Sequence, residues 1–279
     1  MLSFVRLARM VRPCPAPSKP FSASFFSTAT PKRPIPSSFF KQQPSTLVPG
    51  LRQARLKSEG LGPRRRFAAN QFILKGFIGV NVALFGYSTY TWVQAKQGYL
   101  DSFKNHMRNW TMNLRDVKNG YWWQPVTSMF SHGGIVHLGF NMLTFWSLGR
   151  MLCAMPITPG QFTLVVLGSG LSGSLLWLAQ QELKEREGVY QPKRALGFSG
   201  AVTGTVTALA CFMPREKIAL FGVVNLPLWL VVTAYGLYDG YYLNGESTKV
   251  AHAGHLGGMV FGLAYYFLRL RKLRYPGSI

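Results

Sequence analysis

Long apolar segments recur along this chain and restrict what it can fold into. From residue 72 onward, six segments each approach the ~20 apolar residues that a helix needs to cross a bilayer. They cover residues 73–93, 134–153, 161–178, 196–213, 218–242 and 251–270. Charged residues make up 14% of the 279, against roughly 25% in a typical soluble domain. The pattern predicts an all-α, polytopic membrane protein with six spans rather than an ordinary soluble domain.

The N-terminal segment has a different composition. Residues 1–70 hold thirteen Lys and Arg against a single acid, and they are rich in Ser, Pro and Phe. Three arginines interrupt residues 1–12, so the unbroken apolar core of a secretory signal is missing. These features are typical of a mitochondrial or plastid transit peptide, the alternative being a disordered basic tail that binds nucleic acid or anionic lipid. We predict a removed or disordered leader at 1–66, one six-span domain at 67–279, and no nucleic-acid partner.

The charge distribution predicts an orientation. With six spans both termini lie on one side, together with the basic leader and the basic C-terminal tail. The loops on the opposite side hold six of the nine acids, although the first loop, 94–131, also carries five basic residues. The positive-inside rule therefore places both termini inside, which for a mitochondrial inner-membrane protein is the matrix.

Polar residues gather at one end of alternate spans. Spans two, four and six all begin on the outer side, and polar residues lie near each start: His132, His137 and Asn141, then Ser199, then His252 and His255. Ionisable residues within a membrane are candidates for function. A serine and a histidine on neighbouring helices are the minimum for nucleophilic catalysis. Because alternate spans begin on the same side of the membrane, the sequence predicts a serine nucleophile at the outer side, with His252 and His255 as the two candidate bases.

Two glycine stripes would let the serine and the histidine meet. Gly200 and Gly204 are four residues apart on the fourth span, and Gly254, Gly258 and Gly262 repeat this spacing on the sixth. Small residues at this spacing allow helix backbones to approach closely in membranes. Such stripes also occur as generic membrane packing. The polar pair at the end of both stripes favours a catalytic role.

His137 and Asn141 are four residues apart and therefore share a helix face. Both side chains can donate hydrogen bonds, and an oxyanion needs donors aimed at developing negative charge. Ser199 lies at a helix start, where free backbone N–H groups add donors. The alternative for His137 is a polar residue that caps a loop.

Two rival chemistries fit the sequence less well. Four histidines would be enough for a metal site, but no Cys or carboxylate accompanies them and the serine would go unused. The nucleophile elbow of α/β-hydrolases needs a glycine two residues after the serine, where this chain has Ala201. We therefore predict neither a metal nor a cofactor.

Three motifs in order resemble those of the rhomboid intramembrane serine proteases. G-F-S-G at 197–200 resembles the family's G-x-S-G nucleophile motif, and A-H-A-G-H-L-G-G at 251–258 resembles its sixth-helix motif. H-G-G-I-V-H-L-G-F-N at 132–141, preceded by the first-loop motif that begins at Trp123, resembles the H-x-x-x-x-H-x-x-x-N of the second helix. The resemblance covers about 72–270 and is strongest to the mitochondrial, presenilin-associated rhomboid-like branch.

The resemblance implies a role for each matching residue. Ser199 would be the nucleophile and His255 the general base, because Leu256 follows the latter as the family pattern requires. The oxyanion donors would be His137, Asn141 and the Ser199 backbone N–H; the supporting residues would be Gly197, Gly200 and His132, the last structural or water-handling.

Two positions depart from the family pattern. Gln124 follows the loop tryptophan where bacterial members usually have Arg, which leaves the anchoring of the first loop unexplained. Thr203 stands where those members have a Tyr that stacks on the base. A tyrosine elsewhere or Asp239 is then needed to orient His255, but an aspartate near the membrane interface is usually solvated. The sequence therefore predicts a Ser-His dyad without an acidic third member.

The resemblance implies an endopeptidase that cleaves transmembrane segments of inner-mitochondrial-membrane proteins within the bilayer. Substrates with small, helix-destabilising residues would approach past span five, which Pro227 and Gly236 would loosen. One alternative is a catalytically silent membrane chaperone of the same fold. Another is a transporter, which more usually shows internal repeats and broken helices near the midplane.

Overall fold

A computed structural model describes residues 60–273, apart from 221–222, 244 and 246–249. Most of the predicted leader at 1–66 lies outside these residues. The helices, in chain order, are α1 (Pro63–Lys96), α2 (Leu100–Trp110), α3 (Leu114–Lys118), α4 (Gln124–Thr127), α5 (Ile135–Cys153), α6 (Pro159–Arg186), α7 (Ser199–Phe212), α8 (Leu228–Tyr241) and α9 (His252–Tyr265). A 3₁₀ turn follows α4, a π-helical turn follows α9, and strands β1 (Lys217–Leu220) and β2 (Val224–Pro227) precede α8.

Six helices of fourteen residues or more occupy the six predicted positions within the described part of the chain. Helices α5 and α9 start within a residue of the predicted starts. By length and composition, α1 and α6 are long and apolar enough to cross a membrane, and α7 is a shorter apolar helix. Helix α1 starts at Pro63, inside the segment assigned to the leader. Proline suits this position because its missing N–H would be unpaired there in any case.

The prediction of one helix over 218–242 is wrong for its first ten residues. Strands β1 and β2 form an antiparallel hairpin there, in which Lys217 pairs with Pro227. Proline disfavours helical geometry in the residue before it and has no N–H to donate. Helix α8 therefore begins only at Leu228, directly after the proline, and this short hairpin is an exception to the predicted all-α fold.

Backbone contact between α7 and α9 forms the centre of the bundle. A methyl group added at Gly258 would overlap the backbone carbonyl of Gly200, and one at Gly262 would overlap that of Gly204. The predicted approach of the two glycine stripes is confirmed. Helix α6 also takes part, because a methyl group on its Gly173 would overlap the carbonyl of Gly254.

The first loop is folded rather than irregular, and Gln124 anchors it. The Gln124 side chain is fully buried. Its Oε1 accepts a hydrogen bond from the Asn113 N–H at 3.1 Å, and its Nε2 donates to the Arg108 carbonyl at 2.6 Å. Arg194 pairs with Asp116 at 2.6 Å beside it. The Gln124 amide thus holds the loop together at the position where the family pattern usually has an arginine.

We expect Gly258→Ala to destabilise the bundle, because its methyl group would force α9 away from the Gly200 carbonyl. Overpacking typically costs about 1–3 kcal/mol, which for a domain of this size lowers the unfolding temperature by roughly 2–12 °C. The measurement is thermal unfolding in detergent. Gly139→Ala in α5 is the matched control, because no atom outside its own helix lies within 4 Å of the added carbon. Alanine favours helices, so the control should be neutral or stabilising. Equal losses in both variants would contradict the close-contact interpretation.

Candidate active site

Ser199 and His255 are in direct contact. Ser199 begins α7 and His255 lies in the first turn of α9. The Ser199 Oγ and the His255 Nε2 are 2.8 Å apart. His255 is only 6% exposed, whereas Ser199 is half-buried and so partly open to an incoming group. A hydroxyl within hydrogen-bond reach of an imidazole nitrogen is the arrangement that activates a serine nucleophile.

His252, the rival base, has a different partner. Its Nδ1 lies 2.6 Å from the Asp239 Oδ1. The rings of Tyr238 and Tyr242 pack on its imidazole, with centroids 5.7 Å and 5.8 Å away. Of the two candidate bases, the structure therefore places His255 next to Ser199 and His252 next to the Asp239 carboxylate.

The second nitrogen of His255 is held from α8. The His255 Nδ1 lies 3.1 Å from the Asp239 Oδ2 and 3.1 Å from the Tyr235 hydroxyl. The Tyr235 ring stacks on the imidazole with centroids 5.6 Å apart. Tyr235 and Asp239 are four residues apart and share a helix face. Thr203 contributes differently: its hydroxyl lies 3.1 Å from the backbone oxygen of His255.

The prediction that no acidic residue supports His255 is thus wrong. The prediction that Asp239 is solvated is wrong as well. The carboxylate is fully buried. The sequence carried a signal for it, since Asp239 is the single acid of the segment 218–242 and follows Tyr235 by one helical turn. Hydropathy alone assigned the acid to the membrane interface, because it lies near the end of that segment.

The argument against a metal site also needs correction, because a carboxylate does accompany the histidines. Potential ligand atoms of Asp239, His252 and His255 all lie within 4.8 Å of one another. The 2.6 Å and 3.1 Å contacts nevertheless join nitrogen to oxygen directly. Zinc holds each ligand at ~2.0–2.2 Å in tetrahedral geometry, which spreads the ligands beyond 3 Å from each other. The 2.6 Å pair fits a hydrogen bond better than two ligands of one ion.

His137 and Asn141 lie on the other side of the serine. A carbon added at Gly197 would lie 3.1 Å from the His137 Nε2 and 3.8 Å from the Ser199 Oγ, so the imidazole borders the serine loop. Asn141 follows one turn later in α5, is 7% exposed, and donates a hydrogen bond to the His137 carbonyl at 3.0 Å. An amide has two N–H donors, so a second one remains for another acceptor.

His132 lies just before α5, with its ring centroid 5.0 Å from that of His137. The side chain is buried, and this burial is the main reason that the pKa of His132 falls to about 4. The nearby His137 lowers the pKa further. His132 is therefore neutral at physiological pH and can both donate and accept a hydrogen bond.

The loop that leads into Ser199 is fastened at several points. Met112 and Ala195 exchange two backbone hydrogen bonds of 2.9 Å and 2.8 Å, and the Gly197 N–H donates to the Ser128 carbonyl at 3.0 Å. Phe198 is fully buried among the rings of Phe77, Phe130 and Phe145, at centroid distances of 5.1–5.9 Å. Contacts with the first loop and with the buried phenylalanine rings therefore position Ser199.

A small cavity opens beside Ser199. Its volume is about 40 Å³, which is enough for a water molecule. Besides Ser199, its walls include Ser128, Gly170, Gly173, Ser174, Trp177 and Gly200.

Comparison with known proteins gives consistent results. Residues 119–272 match the family described as Rhomboid domain. The chain is 27% identical over 146 residues to Rhomboid protease GluP of Bacillus subtilis, covering 52% of this chain and 26% of that protein. It is 28% identical over 196 residues to Rhomboid protein 1, mitochondrial, of Saccharomyces cerevisiae, covering 69% and 52%. It is 27% identical over 143 residues to the human Presenilin-associated rhomboid-like protein, mitochondrial, covering 50% and 35%. The chain thus spans between a quarter and about half the length of these relatives.

We expect Gly197→Ala to slow the labelling of Ser199 by a fluorophosphonate about 10-fold or more. Gly197 has φ +131°, and an added carbon would approach the His137 ring to 2.8 Å. The variant therefore both strains the backbone and displaces His137. Gly120→Ala is the matched control, because Gly120 also has a positive φ, +100°, but has open space around it. The control should lose stability through strain without a comparable loss of labelling. Equal loss of labelling in both variants would show that strain alone accounts for the effect.

Proposed function

Because this chain belongs to the rhomboid family, as its three motifs predict, we propose that it is an intramembrane serine endopeptidase. The observation that carries the proposal is the 2.8 Å contact between the Ser199 Oγ and the His255 Nε2. The name of the Bacillus relative, Rhomboid protease GluP, supports the same kind of activity. We assign Ser199 as the nucleophile and His255 as the general base.

The reaction follows from these two side chains. Ser199 Oγ attacks the scissile carbonyl carbon while its proton passes to the His255 Nε2. The tetrahedral intermediate collapses as the C–N bond breaks, and His255 gives the proton to the leaving amine. Water then attacks the acyl-enzyme as His255 takes a proton from it, and the second tetrahedral intermediate collapses when the acyl C–Oγ bond breaks and His255 returns the proton to the Ser199 Oγ. The second product leaves as a carboxylic acid.

The oxyanion of each tetrahedral intermediate needs hydrogen-bond donors. We assign this role to the His137 side chain, the Asn141 amide and the Ser199 backbone N–H. The position of the His137 ring beside Gly197 and the spare N–H of Asn141 support the assignment. The first backbone N–H groups of α7 have no partner within the helix, so the Ser199 N–H adds a further donor.

Water must reach a site below the membrane surface. Helix α7 has fourteen residues and is therefore about 21 Å long, shorter than the ~30 Å apolar layer. We therefore place Ser199, the first residue of α7, within the apolar layer. A non-helical loop such as the one before Ser199 is tolerated there only when protein surrounds it. The exposed His137 and the buried, neutral His132 form a polar route from the outer side. We assign His132 the handling of the attacking water.

The substrates we propose are transmembrane segments with small residues at the cleavage position. The small cavity beside Ser199, with several glycines in its walls, supports a preference for small side chains. Access past α8 is supported by its loose packing, since only Leu228 and Asp239 of its fourteen described residues are buried. The names of the two mitochondrial relatives support a mitochondrial location. We place the chain in the inner membrane, with six spans and with both termini in the matrix as the charge pattern predicts.

The decisive test uses protein in liposomes with a labelled single-span peptide that carries Gly and Ala near its outer end. We expect Ser199→Ala and His255→Ala to lower cleavage by at least about 10³-fold, because each removes one partner of the reacting pair. Cleavage that survives Ser199→Ala would end the protease proposal. Full loss in His252→Ala with activity kept in His255→Ala would reverse the choice of base. Peptide binding without any cleavage by the wild type would favour the silent chaperone.

We expect His137→Ala and Asn141→Ala each to lower kcat by about 10²-fold with little change in KM, because an oxyanion donor acts mainly in the transition state. The measurement is the steady-state kinetics of peptide cleavage. Leu143→Ala serves as the control, since Leu143 is on the same helix and 63% exposed. A rise in KM at constant kcat would assign both residues to substrate binding instead.

A further inference from the structure

Three threonines recur along α7, and one of them contacts another helix. The Thr205 and Thr207 hydroxyls each donate to a carbonyl one turn back in the same helix, at 2.7 Å and 2.8 Å. The Thr203 hydroxyl lies 3.1 Å from the Gly200 carbonyl of its own helix and also 3.1 Å from the His255 carbonyl of α9. Thr203 therefore differs from the other two threonines by having an acceptor on the helix that carries His255.

The surroundings of Thr203 direct its hydroxyl to the contact between α7 and α9. In the placement that we propose for α7, Thr203 lies one turn further into the apolar layer than Ser199, where lipid offers a hydroxyl no water to bond. A carbonyl oxygen has two lone pairs, so the His255 carbonyl can accept from Thr203 in addition to its bond within α9. A methyl group added at Gly258 of α9 would lie 2.9 Å from the Thr203 Oγ1. The hydroxyl is thus in the zone where the two backbones meet.

The glycine stripes bring α7 and α9 together but do not by themselves fix how far one helix is shifted along the other. Helices normally lock through side chains of one that fit between side chains of the other, and glycines have no side chain to contribute. Within the part of the chain that the structure describes, two side-chain hydrogen bonds join α7 to α9. They are the contact between Ser199 and His255, and that from Thr203 to the His255 carbonyl. The first is broken during the reaction, so the second is the one that can hold the helices throughout.

We propose that Thr203 is a positioning residue, whose hydroxyl fixes the position of α9 along α7 and so keeps the His255 Nε2 within reach of the Ser199 Oγ. The inference rests on the proposed protease function. A helix rises 1.5 Å per residue, so a shift by less than one residue is enough to lengthen the 2.8 Å contact beyond hydrogen-bond range. The connection is short, because Thr203 bonds the backbone of the same residue whose ring contacts Ser199.

This role also explains what a threonine can do at this position. The family pattern has a tyrosine here that stacks on the base, and in this chain Tyr235 supplies such a ring from α8. Threonine cannot stack, but its hydroxyl reaches the His255 backbone at 3.1 Å. Position 203 therefore still acts on His255, through the main chain instead of the imidazole.

Thr203→Val tests the hydroxyl alone, because valine has the same branched shape and leaves no buried donor without an acceptor. We expect kcat per active site to fall about tenfold in liposomes with KM little changed, since a small misplacement of the reacting groups acts on the chemical step. Thr203→Ser keeps the hydroxyl and should stay within about threefold of the wild type. The matched control is Thr207→Val, which loses a hydroxyl that bonds within α7 and should also stay within about threefold.

The rate at which a fluorophosphonate labels Ser199 gives a second readout, because this small reagent requires neither the entry nor the unwinding of a substrate helix. We expect labelling of Thr203→Val to slow by the same factor as kcat. A loss of cleavage without a loss of labelling would place the role of Thr203 in substrate handling and overturn the proposal. Equal losses in Thr203→Val and Thr207→Val would also overturn it, since any missing hydroxyl of α7 would then have the same effect.

A second pair of variants decides the question if Thr203→Val folds poorly. Thr203→Ser and Thr203→Ala differ by a single oxygen atom, and alanine favours helices. The proposal requires the alanine variant to be about tenfold slower than the serine variant in both cleavage and labelling. Rates within about twofold of each other would contradict it.

Failure of the protease function would give a different result. If the wild type shows neither cleavage nor labelling that depends on Ser199, the protease proposal fails and the role of Thr203 fails with it. If the wild type is active and the variants without the hydroxyl keep its rate within about threefold, only the role of Thr203 is lost.

Discussion

Direct backbone contact between α7 and α9 is the constraint on which the remaining structure depends. Side chains of ordinary size would separate these helices, whereas the glycines let Gly258 lie against the carbonyl of Gly200. Only at this separation can Ser199 at the start of one helix reach His255 at the start of the other. Helix α6 adds its own glycine to the same contact. The packing of the bundle and the assembly of the site thus have one physical origin.

Much of this arrangement could be predicted because short-range patterns in the sequence determine it. Apolar length located the helices, four-residue spacing located the glycine stripes, and helix parity brought the polar residues to one side. The hairpin before α8 was missed, because hydropathy does not register the backbone restriction imposed by Pro227. The role of Asp239 was missed for a different reason. Its partners His252 and His255 belong to another helix. Hydropathy assigns a single acid near the end of an apolar segment to the solvated end of a span.

Both departures from the family pattern are compensated in the structure, in different ways. At position 124 a different side chain supplies the anchoring contacts, and at position 203 the ring that stacks on the base comes from another helix instead. Gln124 anchors the first loop through two amide contacts, with Arg194 and Asp116 paired nearby. Tyr235 stacks on His255 from α8, where the family pattern places an aromatic ring on α7 at the position of Thr203. The family pattern therefore locates the loop anchor but not the ring that stacks on His255.

The loose packing of α8 has a consequence for how the site can be regulated. This helix offers little apolar surface to the bundle, yet it carries both groups that hold the Nδ1 side of His255. Any displacement of α8 away from α9 withdraws the ring and the carboxylate together, while the glycine contact keeps Ser199 and His255 side by side. In the entry route that we propose past α8, the helix that yields to the substrate is also the helix that supports the base, so full opening would withdraw both supports from His255.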